Sequence, residues 1–150
     1  MEKLHYSIII DAPKEKVWKT MLEDKTYREW TEAFNQGSYY EGEWKAGSDI
    51  RFLGPEKDGT VSGMISRIRE SRPFDFLSIQ HLGEINHGKE TMYAEGGQNV
   101  EAFENYTFND KDGTTELLVD LDSPEQYAKM FNDMWPKALE KLKQISESNN

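Results

Sequence analysis

Ile8-Ile9-Ile10-Asp11-Ala12-Pro13-Lys14-Glu15-Lys16-Val17-Trp18 is the stretch that decides the fold. The β-branched triplet closes a strand pattern that runs over residues 3–11. Pro13 suits the first position of a helix, where a missing N–H costs nothing. Val17, Trp18, Met21 and Leu22 then follow at helical spacing. Asp24 can open a second short helix, with Tyr27, Trp30 and Phe34 on an i, i+3, i+7 face. One strand and two short helices therefore begin the chain.

Working outward, the grammar changes after Asn35. Gly37, Gly42, Gly47, Gly54-Pro55 and Asp58-Gly59 punctuate short strand-like stretches. These are Ser38–Tyr40, Ile50–Leu53, Thr60–Glu70 and Phe74–Leu82. Asn109-Asp110-Lys111-Asp112-Gly113 is a hairpin signal between Ala102–Phe108 and Thr114–Leu121. No alternation of strands with crossover helices is present, so an antiparallel meander is expected. Residues 83–101 form a long loop pattern with Gly83, Gly88 and Gly96-Gly97, and long loops in compact domains are often functional.

The longest helical pattern comes last. Ser123 reads as its N-cap, Pro124 as the first helical residue and Gln126 as the partner in a capping box. Tyr127, Phe131, Met134, Trp135, Ala138, Leu142 and Ile145 form an apolar stripe. Pro136 removes the bond to the Asn132 carbonyl and predicts a kink. Residues 146–150 read as a frayed polar tail.

With 150 residues and 36% hydrophobic content, one domain spanning 1–150 with a real core is expected. Net charge is -10; residues 1–75 carry 14 acids and 12 bases, and residues 76–150 carry 14 and 6. No basic stripe exists to displace counterions from a polyanion, so neither nucleic acid nor anionic membrane is an expected partner. The absence of cysteine excludes disulfides, Cys-ligated zinc and thiol nucleophiles. The start of the sequence lacks a signal-peptide pattern and no apolar run is of membrane-spanning length, so the cytoplasm is the expected location.

A strand, two short helices, about six further strands and a long amphipathic helix bury their apolar faces when a curved sheet wraps the helix. In that order Ile10-Asp11-Ala12-Pro13, Val17-Trp18, Tyr27-Arg28-Glu29-Trp30, Gly47–Phe52, Gly59-Thr60-Val61-Ser62-Gly63, Asn105–Phe108, Gly113-Thr114-Thr115 and Trp135 with Leu139 and Leu142 resemble the START-like (SRPBCC) superfamily. The chain is most similar to small bacterial proteins related to the activator of the heat-shock-chaperone ATPase. The resemblance implies an α+β helix-grip fold, with a curved antiparallel sheet of about 6–7 strands around the C-terminal helix. Relatives often carry Gly before the helix Trp; here Met134 stands there.

The resemblance further implies a cavity between that helix and the sheet, holding a lipid-like or polycyclic aromatic molecule without catalysis. Its candidate lining is Leu77, Ile79 and His81 on one strand, and Tyr106 and Phe108 on another. Leu117 and Val119 come from a third, and Phe131, Met134, Trp135 and Ala138 from the helix. At ~24 cal/mol per Å³, an empty ~300 Å³ space would cost about 7 kcal/mol, so such a cavity holds ligand or solvent or is filled by side chains. Two alternatives stay open. One is a chaperone-associated, stress-linked interaction module, with Tyr39, Tyr40 and Trp44 as exposed anchors. The other is a cyclase- or hydrolase-like enzyme, in which His81, Tyr106 or Glu104 supplies acid–base chemistry. Monomer and homodimer are both compatible.

His81, Glu84, His87 and Glu90 recur every three residues with metal-ligand chemistry, but they span a strand end and a loop and nothing makes them converge. No metal or other cofactor is expected. Arg67 and Arg69 share one strand face, where they would either pair with acids on the outer side or, in the opposite register, meet a carboxylate-bearing ligand; the sequence leaves the inner face of strand 60–70 open.

Overall fold

The computed structural model describes residues 2–93 and 102–148. Its elements are β1 (Glu2–Ile10), α1 (Lys14–Leu22), α2 (Asp24–Trp30), a 3-10 turn (Thr31–Ala33), β2 (Tyr39–Gly42), β3 (Asp49–Pro55), β4 (Val61–Arg72), β5 (Phe76–Asn86), β6 (Lys89–Met92), β7 (Phe103–Lys111), β8 (Thr114–Ser123) and α3 (Glu125–Glu147). All strands join one antiparallel sheet in the order β1-β8-β7-β5-β4-β3-β2, with β6 pairing β5 beside that path. The sheet is curved and α3 lies against it, packing on β1, α1 and α2.

Most predicted elements form where the local chemistry indicates. The Asp112-Gly113 turn has φ of 55° and 90°, the left-handed pair that closes a two-residue hairpin between Lys111 and Thr114. Val17, Trp18, Met21 and Leu22 are buried together, as are Tyr27 and Trp30. Arg67 and Arg69 face outward, and Arg67 pairs with Asp49 at 2.9 Å.

Several expectations are corrected. Pro13 is the N-cap of α1, one residue earlier than predicted; its carbonyl accepts from the Lys16 and Val17 amides. No capping box starts α3. Ser123 is the last residue of β8, Pro124 is the cap, and the Ser123 hydroxyl bonds the Pro124 carbonyl. The helix continues past Pro136 to Glu147, and Ser146 is fully buried, so neither residue 146 nor 147 belongs to a frayed tail. The buried face of α3 runs through Ala128, Trp135, Ala138, Leu139, Leu142 and Ser146, while Tyr127 is 37% exposed. Part of the long loop pattern is the hairpin β5–β6, turned by His87 and Gly88 at positive φ. Gly96-Gly97 and Asn149-Asn150 lie outside the described residues.

Two β-bulges interrupt the β4–β5 ladder. Leu82 has no partner between the pairs Ile65–Gly83 and Ser66–His81, and Arg69 has none between Ile68–Ile79 and Glu70–Ser78. An unpaired residue resets the two-residue alternation of a strand. Leu77, Ile79 and His81 therefore face inward before the bulge, and Glu84 faces inward after it.

Surface hydrogen bonds and ion pairs contribute to the acid response. Thr60 hydrogen bonds to Asp58 lower its carboxyl to about 2. Lys14 lowers Asp75, Arg51 lowers Glu90, and Lys143 with the Asp11 amide lowers Glu147. Each group is more acidic folded than unfolded, so the unfolded chain takes up more protons as pH falls. Denaturation midpoints are expected to hold steady from neutral pH down to about 5, and to fall below about 4, where carboxylates of ordinary pKa protonate. A midpoint unchanged down to pH 3 in urea titrations contradicts this assignment.

Candidate ligand cavity

A cavity of about 380 Å³ lies between α3 and the concave face of the sheet. The sheet supplies Phe52 from β3, Met64 from β4, Ile79 and His81 from β5, and Glu104 and Tyr106 from β7. Phe131 and Trp135 close it from α3, and Met21, Tyr27 and Trp30 from the short helices. Tyr127, 37% exposed, borders it, as do Tyr93 and buried Ala102. Ten of the described wall residues are aromatic. At ~24 cal/mol per Å³ a dry void of this size would cost about 9 kcal/mol, comparable to the stability of a whole domain. The space is therefore one for solvent or ligand.

Of the predicted lining, Ile79, His81, Tyr106, Phe131 and Trp135 are brought to this wall. Leu77, Phe108, Leu117, Val119 and Ala138 are fully buried in the core but lie off the wall. Met134 is partly buried and also off it, so the residue before the helix Trp does not narrow the space. The contribution of α1 and α2 was not anticipated. The i, i+3, i+7 spacing of Tyr27, Trp30 and Phe34 marks a buried face, but does not say that the face borders a void.

Trp135 organises the aromatic wall. Its ring stacks on Tyr6 at 5.8 Å and meets Phe34 edge-on at 4.9 Å. Trp30 and Tyr106 lie 6.3 and 6.1 Å away. At the other end, the Tyr40 hydroxyl and Trp44 Nε1 both donate to the Leu22 carbonyl, at 2.7 and 3.1 Å. These bonds satisfy an orphan acceptor at the end of α1. Tyr40 and Trp44 are thus tied into the fold instead of standing free as anchors. Tyr39 lies under the Arg28 guanidinium at 5.4 Å.

A polar chain crosses the sheet side of the cavity. Ser66 Oγ lies 2.7 Å from His81 Nδ1, and His81 Nε2 lies 3.1 Å from Glu104 Oε1. The Tyr106 hydroxyl donates to Glu104 Oε2. A carboxylate only accepts, so Nε2 carries a proton; in the neutral ring Nδ1 then accepts from the Ser66 hydroxyl. Ser66 is fully buried and off the wall, so it holds the imidazole in place and cannot act as a nucleophile on a cavity ligand. Burial, with the Glu104 charge beside it, pushes the Tyr106 phenol far above its ordinary pKa. Tyr106 accordingly serves as a hydrogen-bond donor and not as a base.

The four residues weighed as metal ligands separate. His81 and Glu84 reach the cavity, His87 pairs with Glu56 and Asp58 at 3.0 and 2.9 Å, and Glu90 pairs with Arg51 at 3.0 Å. Among the described residues no group of three or more His or acidic side chains is placed to hold a metal ion, and no helix is long and apolar enough to cross a membrane.

A curved antiparallel sheet gripping a long C-terminal helix, with a cavity between them, defines the helix-grip class. The chain belongs to the family described as Activator of Hsp90 ATPase homolog 1-like protein, whose sequence profile matches residues 11–147. None of the curated proteins matches it in sequence. Among solved structures, protein MLL2253 from Mesorhizobium loti superposes with a TM-score of 0.71 at 16% identity, over 99% of this chain and 100% of that one. The Aha1 dimer from Colwellia psychrerythraea gives 0.68 at 16% identity, over 99% and 98%. DynU16, from the dynemicin biosynthetic locus, gives 0.70 at 15% identity; 99% of this chain covers 48% of that protein. At these identities the likeness is one of fold.

Proposed function

We propose that the protein binds a small hydrophobic or amphipathic molecule, lipid-like or polycyclic aromatic, in the cavity between α3 and the sheet, without transforming it. The observation that carries this reading is the 380 Å³ aromatic-walled space itself. Pockets of this size, mostly apolar with a few convergent polar groups, suit drug-sized ligands. Flat aromatic walls favour a ligand that stacks, and the His81–Glu104–Tyr106 cluster offers one place for a polar end. The burial of Ser66 and the raised Tyr106 favour binding over a hydrolase-like role. The engagement of Tyr40 and Trp44 with α1 favours it over a chaperone-docking role.

N-phenyl-1-naphthylamine, neutral at pH 7 and fluorescent only in apolar surroundings, tests the reading. A saturable rise in its emission is expected, together with quenching of tryptophan, because Trp30, Trp44 and Trp135 line the space. Met64→Trp projects a larger ring from the wall into the void and is expected to abolish the rise while moving the melting temperature by only a few degrees. A folded wild-type protein that gives no saturable signal, or a Met64→Trp protein that binds as well as wild type, removes the support for a ligand in this cavity.

A further inference from the structure

We infer that the cavity selects a lipophilic cation: an aromatic or alkyl body carrying a protonated or quaternary amine. The inference rests on the reading of the cavity as a ligand site and adds the charge of the ligand.

Among its described residues the wall carries three carboxylates, Glu84, Glu104 and Asp122, and no Lys or Arg. Asp122 is already answered, by the Lys3 ammonium at 2.8 Å and the Phe103 amide at 3.0 Å. Glu104 is held by the His81 ring and the Tyr106 hydroxyl, and Glu84 by the Asn86 amide and the Tyr93 hydroxyl, both at 3.3 Å. The phenols and the Asn86 amide satisfy lone pairs but bring no positive charge, and in the neutral ring, with Nδ1 accepting from Ser66, the His81 imidazole brings none either. Each carboxylate oxygen keeps a further acceptor site beyond the single bond it receives. The arginines of the neighbouring strands do not help: Arg51 pairs with Glu90, and Arg67 with Asp49, on the outer face.

A carboxylate set in an apolar wall is less fully hydrated than one on the open surface, Glu104 keeping 22% side-chain exposure, and a charged partner offsets this more fully than a neutral donor. The surroundings suit a cation of low hydration. Tyr106, which bonds Glu104, lies 6.1 Å from Trp135, and Phe52 lies 6.3 Å from the His81 ring. An ammonium group at Glu104 therefore meets aromatic faces as well as the carboxylate, the arrangement in which desolvated cations bind most strongly. The negative charge is felt across the space: after burial, Glu104 is the main cause that raises the Tyr27 phenol, and Glu84 does the same for Tyr93. A net charge of -10, concentrated in the second half of the chain, draws cations and turns anions away.

The test is a size-matched series at pH 7, followed by calorimetry on the full chain: 1-naphthylmethylamine, 1-naphthylmethanol and 1-naphthoate. The ammonium compound is expected to bind at least about tenfold more tightly than the alcohol, with naphthoate weakest. Glu104→Gln is expected to weaken the ammonium compound by about fivefold or more and the alcohol by a clearly smaller factor, since the Gln amide oxygen still accepts from a hydroxyl. Glu84→Gln gives the same pattern with a smaller loss and serves if the first variant does not fold. An alcohol or a naphthoate that matches the ammonium compound in the wild-type protein overturns the cation assignment and leaves the ligand site standing. Silence from all three, with N-phenyl-1-naphthylamine also unbound, overturns the site and the assignment together.

Discussion

Trp135→Ala is expected to lower stability by about 4 kcal/mol, which for a chain of this length corresponds to a fall of about 10 °C in melting temperature. Trp135 is 4% exposed and meets Tyr6 of β1, Trp30 of α2, Phe34 beyond the 3-10 turn and Tyr106 of β7. Among the described residues it is the α3 side chain that touches aromatic partners from three separate elements and a connecting loop. Removing it takes away a large buried area and leaves a hole that joins the existing cavity. Trp135→Phe keeps a ring for Tyr6 and Phe34 and is expected to lose less than half as much. Urea unfolding followed by far-ultraviolet circular dichroism measures both. A loss under about 1 kcal/mol for the Ala variant would mean that the wall is held by other contacts.

Gly63→Ala is expected to cost about 3 kcal/mol, more than a single methyl group normally does. A Cβ at Gly63 would stand 1.9 Å from the carbonyl oxygen of Phe52 and 3.0 Å from Leu53 Cα, both in the backbone of β3. Neither can move without opening the β3–β4 ladder at the Phe52–Met64 and Leu53–Gly63 pairs. The cavity wall would shift with it, since Phe52, Leu53, Gly63 and Met64 all line the space. Gly59→Ala is the control. There the backbone has φ of +88° but nothing lies within 4 Å of the added carbon, so only the conformational term remains, about 1 kcal/mol. Equal losses at the two positions in thermal and urea melts would contradict the steric account. The same contact explains why Gly belongs in the Gly59-Thr60-Val61-Ser62-Gly63 stretch: two strand backbones approach too closely there for any side chain.

Much of the site was half-legible. Ile79 and His81 sit two residues apart on a strand that reads correctly, so their inward direction followed from alternation. Glu84 did not, because three residues of spacing should put it on the opposite face from His81. It joins the wall because Leu82 is bulged out of the ladder. The start of α3 was misread by one residue: Ser-Pro-Glu-Gln has every element of a capping box, yet Ser123 is held in β8 by pairing with Glu2. Long-range pairing outweighed a local preference worth about 1 kcal/mol. Strand β6 was missed because Lys89–Met92 is exposed along its whole length and carries no apolar alternation to reveal it.

The sequence alone determined the order of elements apart from β6, the helix faces around Val17–Leu22 and Tyr27–Trp30, the Asp112-Gly113 hairpin and the grip of a curved sheet on a C-terminal helix. These depend on periodicity and turn chemistry, which act over a few neighbouring residues and are written in them directly. The tertiary structure alone decided that Leu77, Phe108, Leu117, Val119 and Ala138 fill the core while Trp30, Phe52 and Trp135 surround a void. It also decided that Glu84 and Glu104 face that void without a Lys or Arg among its described wall residues. A cavity is the space left when elements far apart in the chain stop short of one another, and a bulge exists only in relation to the partner strand. Neither has a local signature for a sequence to carry.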